Sequence, residues 1–155
     1  MPSLNALPGG IYRISDGRGR WLSQSGVGPG TGAGTQLVLL TEEEGTDAGF
    51  NWKLEYDKAQ SSHTIQNVAS SLYASFEGDP TENAHLGAHP TPRYYDLVSD
   101  GSQGLKVALK GSKLSLHTSP CMMYPPMVAL MTDNNAMLSE KSIVWEFHLQ
   151  NQLPA

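Results

Sequence analysis

The side chains of this sequence that could do chemistry are its five histidines and two clusters of acids and amides. His85 and His89 are four residues apart, a spacing that on a helix would place both rings on one face, as a zinc pair requires. Gly87 and Pro90 favour an extended chain instead, in which the two histidines lie roughly 13 Å apart, too far for one ion. We therefore predict ordinary loop or strand histidines, with no metal and no other cofactor.

Patterns typical of covalent catalysis are missing from the sequence. It contains no Gly-x-Ser-x-Gly motif, and its single cysteine, Cys121, stands close to prolines with no base nearby in sequence. The glycine-rich segment 26–35 lacks the Lys-Ser/Thr ending of a phosphate-binding loop and runs into the strand-like "TQLVLL". We expect Cys121 to be a buried small side chain and the glycine segment to be a connection between strands. The sequence does not indicate an enzyme.

Two polar clusters have the composition of a sugar site, which needs a ring face for stacking and fixed polar groups for the hydroxyls. The cluster in "FEGDPTENAHLGAH" offers Phe76 as a platform, with Glu77, Asp79, Asn83, His85 and His89 as polar groups. The cluster in "MTDNN" offers Asp133, Asn134 and Asn135, with Tyr124 or His117 as the flat surface. The alternative is that these residues only form turns, for which Asp, Asn, Gly and Pro are the usual types.

The elements that would position these residues recur three times along the chain. Hairpin-like segments, each an alternating run, a small-residue turn and a second short run, occupy 10–26, 63–75 and 104–120. Each is followed, after a loop-rich interval with one more strand, by an aromatic-x-apolar strand that begins at Trp52, Tyr95 or Trp145. These aromatic residues are 43 and 50 residues apart, so the pattern indicates an internal repeat.

Three copies of about four strands each are too few for a typical propeller, and an open solenoid would need polar caps that the sequence lacks. A barrel of about twelve strands closed with a hairpin cap removes free strand edges. We therefore predict one all-β domain over residues 1–155, a β-trefoil with pseudo-repeats at about 10–60, 61–103 and 104–151. The nearest approach to a helix, 132–144, is too short to change the class.

Charge and hydropathy exclude some partners. The net charge is −5 and no run of Lys and Arg is present, so nucleic acid is not an expected partner. The opening "MPSLNALPGG" lacks the basic and apolar regions of a secretory signal peptide, and no apolar run approaches a membrane span. We expect a cytoplasmic protein without membrane insertion; export by a route that needs no signal would leave the same sequence.

The repeated segments resemble a known family. "YRISDGRGRWLS" and "TIQNVASSLYAS" resemble the repeat opening of ricin-B-like β-trefoil lectins, roughly Tyr-x-Ile-x-Asn-x-x-Ser-Gly-x-x-Leu, and "NWKLEYD" and "VWEFHLQ" resemble the Trp-bearing strand that ends each repeat. The resemblance covers 10–150 and implies a glycan-binding protein for galactose, N-acetylgalactosamine or lactose, serving as a defence or storage protein of a fungal fruiting body. Several sites or a homodimer would supply avidity, because single sugar sites are weak.

The chain departs from the lectin pattern at the positions that matter for sugar binding. Phe50 and Ile143 replace the Gln of the usual Gln-x-Trp motif. Ser23, Ser75 and His117 stand near the places of the Asp that accepts hydrogen bonds from sugar hydroxyls in the family. Three standard sugar sites therefore cannot be assigned.

The segments "GGIYRI" and "VWEF" also resemble mycocypin-type fungal β-trefoil inhibitors of serine and cysteine proteases. An inhibitor needs a stiff exposed loop, for which 78–93 and 118–127 are candidates because both contain several prolines. A trypsin-directed loop would need a protruding Arg18, Arg20 or Arg93, whose ordinary interpretation is a solvated turn cation. A trefoil that serves only as an interaction module is a third hypothesis. We favour the glycan-binding lectin, with the protease inhibitor as the alternative.

Overall fold

The computed structural model of the chain describes residues 3–4, 7–24, 35–99, 104–120, 124–132 and 144–152. The described strands are β1 (Ser3–Leu4), β2 (Gly10–Ser15), β3 (Trp21–Gln24), β4 (Leu37–Leu40), β5 (Trp52–Asp57), β6 (Ser62–Asn67), β7 (Tyr73–Ser75), β8 (Gly87–His89), β9 (Tyr95–Ser99), β10 (Leu105–Leu109), β11 (Ser115–Thr118), β12 (Val128–Met131) and β13 (Glu146–Gln152). One helical turn, α1 (Asp47–Phe50), precedes β5. The described part of the chain is thus almost entirely β.

Six strands form a closed antiparallel barrel. Strand β13 pairs with β2, β2 with β5, β5 with β6, β6 with β9, and β9 with β10. The ring closes where the Leu105 N–H donates to the Trp145 carbonyl at 2.8 Å and the Trp145 N–H donates to the Leu105 carbonyl at 2.7 Å. Closure leaves these six strands without an open edge on which another chain could pair.

The remaining long strands form three hairpins, β3–β4, β7–β8 and β11–β12, that join one another through backbone hydrogen bonds. The Leu37 N–H donates to the Leu86 carbonyl at 3.1 Å, and the Leu86 N–H donates to the Val128 carbonyl at 2.9 Å. The Leu39 N–H donates to the Pro126 carbonyl at 2.8 Å, which links the first hairpin to the third. Their buried leucines belong to the same core as the barrel, so the hairpins form its cap.

The same kind of buried hydrogen bond, from an aromatic side chain to a backbone carbonyl, occurs three times in the fold. The three contacts are Trp52 Nε1 to the Leu22 carbonyl at 3.0 Å, the Tyr95 hydroxyl to the Ala74 carbonyl at 2.8 Å, and Trp145 Nε1 to the Leu116 carbonyl at 3.0 Å. In each case the aromatic residue predicted to open the closing strand donates to a backbone carbonyl in the second strand of a predicted hairpin. The predicted threefold order of parts is therefore confirmed.

The centre of the barrel is filled with apolar side chains. A void of about 10 Å³ remains among residues that include Ile14, Ile65 and Val107. A space of this size holds about one water molecule, and its apolar lining offers no hydrogen-bond partner. The described centre of the barrel therefore has no room for a sugar.

Two elements were not predicted. The short strand β1 pairs with β9, and Thr46 caps α1 by accepting a hydrogen bond from the Gly49 N–H at 3.4 Å. The segment predicted to come nearest to a helix lies, over 133–143, outside the described residues, and so do most of the glycine segment and Cys121. Among the described residues, no helix has the length and apolar character needed to span a bilayer.

Candidate functional site

A surface depression of about 320 Å³ lies where β7 and β8 end, and we call it the Arg93 pocket. It is lined by Ser75, Phe76, Glu77, Gly78, His89, Pro90, Thr91 and Arg93. The chain turns after β7 at Gly78, whose φ of +74° is a left-handed conformation that glycine adopts without strain. After β8 ends at His89, Pro90 stops the pairing and the chain crosses beside the β7 turn.

Arg93 is held in place by the backbone around it. Its guanidinium carbon lies 3.9 Å from the centre of the Phe76 ring, in a cation–π contact. Its Nη2 donates to the Phe76 carbonyl at 3.1 Å and to the Gly78 carbonyl at 2.7 Å. These bonds use two of the five guanidinium N–H groups, so three donors remain for a ligand. Within the described part of the chain, no carboxylate forms an ion pair with this guanidinium.

Ser75 also lines the pocket, but its hydroxyl is buried beneath the pocket surface. Its side chain is buried, and its Oγ has no hydrogen-bond partner among the described residues. A buried hydroxyl without a partner costs about 1–3 kcal/mol, and because this Oγ exposes less than 1 Å² a ligand in the pocket does not reach it. Glu77 and Thr91 are exposed at the rim, and His89 is half-buried. The pocket thus brings hydroxyl, carboxylate, imidazole and guanidinium groups to one open space.

The predicted second-repeat cluster is only partly brought together. Glu77 and His89 line the pocket, whereas Asp79 and Asn83 do not. Asn83 has a φ of +69° and its N–H donates to the Leu130 carbonyl at 2.7 Å, which makes it a turn residue. His85 lies in the cap, with its Nε2 3.0 Å from the Ser119 Oγ.

The prediction that Phe76 is an open stacking platform is wrong. Its side chain is only 5% exposed, and Arg93 covers the ring face. Arg93 is half-buried in a turn, with one face of its guanidinium packed on that ring. A sugar ring would therefore meet the guanidinium edge or the His89 imidazole and not the Phe76 face.

The predicted third-repeat surface is also changed. His117 is fully buried, with its Nε2 3.1 Å from the Ser115 Oγ, so the prediction that its ring serves as a flat binding surface is wrong. Tyr124 is 66% exposed, and its hydroxyl donates to the Glu44 carboxylate. That hydrogen bond lowers the pKa of Glu44 and raises the pKa of Tyr124. Asp133, Asn134 and Asn135 lie outside the described residues, so this cluster stays a prediction.

The extended conformation predicted around the histidine pair is confirmed. His89 ends β8, and His85 lies in an isolated bridge with Ala129. In the part of the chain that the structure describes, no three His, Cys, Asp or Glu side chains stand close enough to hold a metal ion.

The loop that carries Arg18 and Arg20 is a tight turn. The buried Asp16 accepts hydrogen bonds from the Arg18 N–H at 2.8 Å and the Arg20 N–H at 3.3 Å, while Gly17 and Gly19 both have positive φ. The loop 118–127 lies outside the described residues at 121–123.

Ser75, Thr91 and Arg93 are pocket residues that the predicted sugar site did not include. Ser75 was noted only as a departure from the lectin motif, and Arg93 only as a cation for a protease. The available signal was the dense turn chemistry of "HPTPR" immediately after a predicted strand. The Arg93 side chain contacts the Phe76 ring, and sequence spacing does not reveal this tertiary contact.

No protein-family model and no curated protein matches this sequence. Solved structures do. The Rhizoctonia solani agglutinin matches with a TM-score of 0.77 at 17% identity, over 94% of this chain and 99% of that chain. The Macrolepiota procera ricin B-like lectin, in complex with lactose, matches with a TM-score of 0.73 at 14% identity, over 94% and 99%. The designed threefold-symmetric protein ThreeFoil matches with a TM-score of 0.73 at 14% identity, over 90% and 99%. At these identities the likeness establishes the fold, and the chain is a β-trefoil.

Proposed function

We propose that the protein is a lectin that binds a sugar in the Arg93 pocket. Sugar hydroxyls both donate and accept, so a site for them needs both kinds of partner around one shallow space. The pocket has guanidinium donors, the Glu77 carboxylate and the Thr91 hydroxyl. The observation that carries the proposal is the fixed Arg93 guanidinium, because its three unused N–H groups gain hydrogen bonds when a polyol enters the pocket.

His89 takes the part that the sequence assigned to Phe76. The His89 side chain is half-buried in the pocket wall, and the residue pairs through its backbone with Tyr73 across β7 and β8. An imidazole offers a flat face to the sugar ring and a nitrogen to a hydroxyl. The histidine would therefore orient the sugar while Arg93 and Glu77 bind its hydroxyls.

The sugar we propose is galactose or N-acetylgalactosamine, free or as the terminal unit of a glycan. Lactose is the sugar bound in the Macrolepiota procera lectin, and the same fold here supports a test with that ligand first. Defence or storage in a fungal fruiting body belongs to the same proposal and is supported by the fungal origin of the similar lectins. Multivalent binding would come from a homodimer or from further sites on the chain.

Isothermal titration with lactose and galactose tests the proposed pocket. We expect Arg93→Gln to weaken binding by about tenfold or more, because charge-assisted hydrogen bonds contribute about 1.5–3 kcal/mol. Arg18→Gln is the matched control, since it removes an exposed arginine far from the pocket in sequence and should leave affinity unchanged. If Arg93→Gln and the unmodified protein bind the sugar with equal affinity, the sugar does not bind in this pocket.

A further inference from the structure

A second depression, of about 380 Å³, lies beside the Arg93 pocket, and we call it the Tyr94 depression. Its lining includes Tyr56, Tyr73, Tyr94 and Pro92, with the carboxylates of Glu55 and Asp57. These residues come from the β5–β6 hairpin, from β7 and from the segment that follows β8. No sequence motif marked them as a site.

The two depressions share a wall that is one chain thick. In the segment 90–94, Thr91 and Arg93 line the Arg93 pocket, whereas Pro92 and Tyr94 line the Tyr94 depression. Tyr73 and His89 are directly paired across β7 and β8, so their side chains project to the same face of the sheet; Tyr73 lines the Tyr94 depression and His89 lines the Arg93 pocket. The depressions are therefore neighbours on either side of the segment 90–94.

The Tyr94 depression has the chemistry of a sugar subsite. Tyr56 is 43% exposed, and its ring is braced edge-on against the buried His63, with 5.1 Å between ring centres. Asp57 is fixed because its Oδ1 accepts hydrogen bonds from the Ala59 N–H at 2.9 Å and the Gln60 N–H at 3.2 Å. Rigid aromatic rings and a fixed acceptor are the groups that hold a sugar ring and its hydroxyls.

We infer that the Tyr94 depression binds the second sugar unit of a glycan whose first unit occupies the Arg93 pocket. The inference rests on the proposed function of that pocket and adds the ligand's size, two or more sugar units.

Titration calorimetry with galactose, lactose and galactosyl-lactose tests the inference. We expect affinity to rise about tenfold or more from galactose to the longer ligands, because added aromatic stacking contacts the second unit. Tyr94→Ala and, separately, Tyr56→Ala should remove most of that gain while the affinity for galactose stays unchanged. Tyr56→Phe is the matched control, because it keeps the ring face and should keep the gain. Thermal unfolding of each variant shows that the binding was measured on folded protein.

Each outcome of this titration has one meaning. If galactose and the longer ligands bind equally well, or if both alanine variants keep the gain, the Tyr94 depression is not a subsite and the proposed function stands. If none of the three sugars binds to the unmodified protein, the proposed function fails and the inference falls with it.

Discussion

His63 is a single residue with an effect on the whole protein's acid stability. Its ring is 2% exposed and packs against Tyr56. Burial lowers the pKa of His63 below its usual value, and the Tyr95 backbone and the Asp96 carboxylate offset only part of this effect. The unfolded chain therefore binds more protons than the folded chain once the pH falls below about 6.5.

We predict that the free energy of unfolding decreases as the pH falls from about 6.5, and that His63→Leu reduces this dependence. Urea denaturation at several pH values between 7 and 5 measures it. Val68→Ala, at a 46% exposed side chain without a titratable group, is the control and should keep the slope of the unmodified protein. An unchanged slope in His63→Leu would contradict the assignment of the acid sensitivity to this residue.

At the same scale, the sequence predicted part of the candidate site. Glu77 and His89 were predicted as ligands and line the Arg93 pocket. Phe76 was predicted with the wrong role, because the spacing of residues does not show that Arg93, seventeen positions later, would cover its ring. Residue type and turn chemistry located the region, whereas the side-chain contacts that decide the roles depend on tertiary packing.

At the scale of elements, the three aromatic hydrogen bonds connect the closing strands to the hairpins. Two of the donors are tryptophan and the third is Tyr95, whose hydroxyl donates to the Ala74 carbonyl at 2.8 Å. Burial raises the pKa of Tyr95, which keeps the hydroxyl protonated as a donor. This hydroxyl gives β7 and β9 a direct side-chain link in addition to the pairing of each with β6.

We predict that Tyr95→Phe destabilises the protein by about 1–3 kcal/mol, because it leaves the buried Ala74 carbonyl without its partner. Chemical denaturation measures the change. Tyr56→Phe removes a hydroxyl from a 43% exposed side chain and should change stability by less than about 0.5 kcal/mol. Equal effects of the two substitutions would show that the Tyr95 hydrogen bond does not link these strands.

The hairpins and closing strands could be predicted because their apolar residues alternate with a period of two and small-residue turns mark where each strand ends. Strand β1 and helix α1 were not, since elements of two and four residues are too short to show a period. Helix α1 also depends on a close local contact. Gly45 leaves room for the Phe50 ring, and a Cβ at Gly45 would lie 2.4 Å from its Cζ.

At the scale of the whole molecule, the fold accounts for a candidate site that lies outside the barrel. The barrel interior is filled with apolar side chains and has space for about one water, so binding groups project from strand ends and connections. The threefold order could be predicted because the same succession of strands recurs three times along the sequence. The repeat limits at 10–60, 61–103 and 104–151 stay a prediction.

A glycan array with the unmodified protein and Arg93→Gln, run beside trypsin and papain inhibition assays on the same samples, tests the central claim most directly. We predict that the protein binds galactose-terminated glycans and that free lactose competes with this binding. Arg93→Gln should weaken the binding about tenfold or more, and Arg18→Gln should retain it. A blank array together with stoichiometric inhibition of either protease would contradict the lectin and favour the inhibitor.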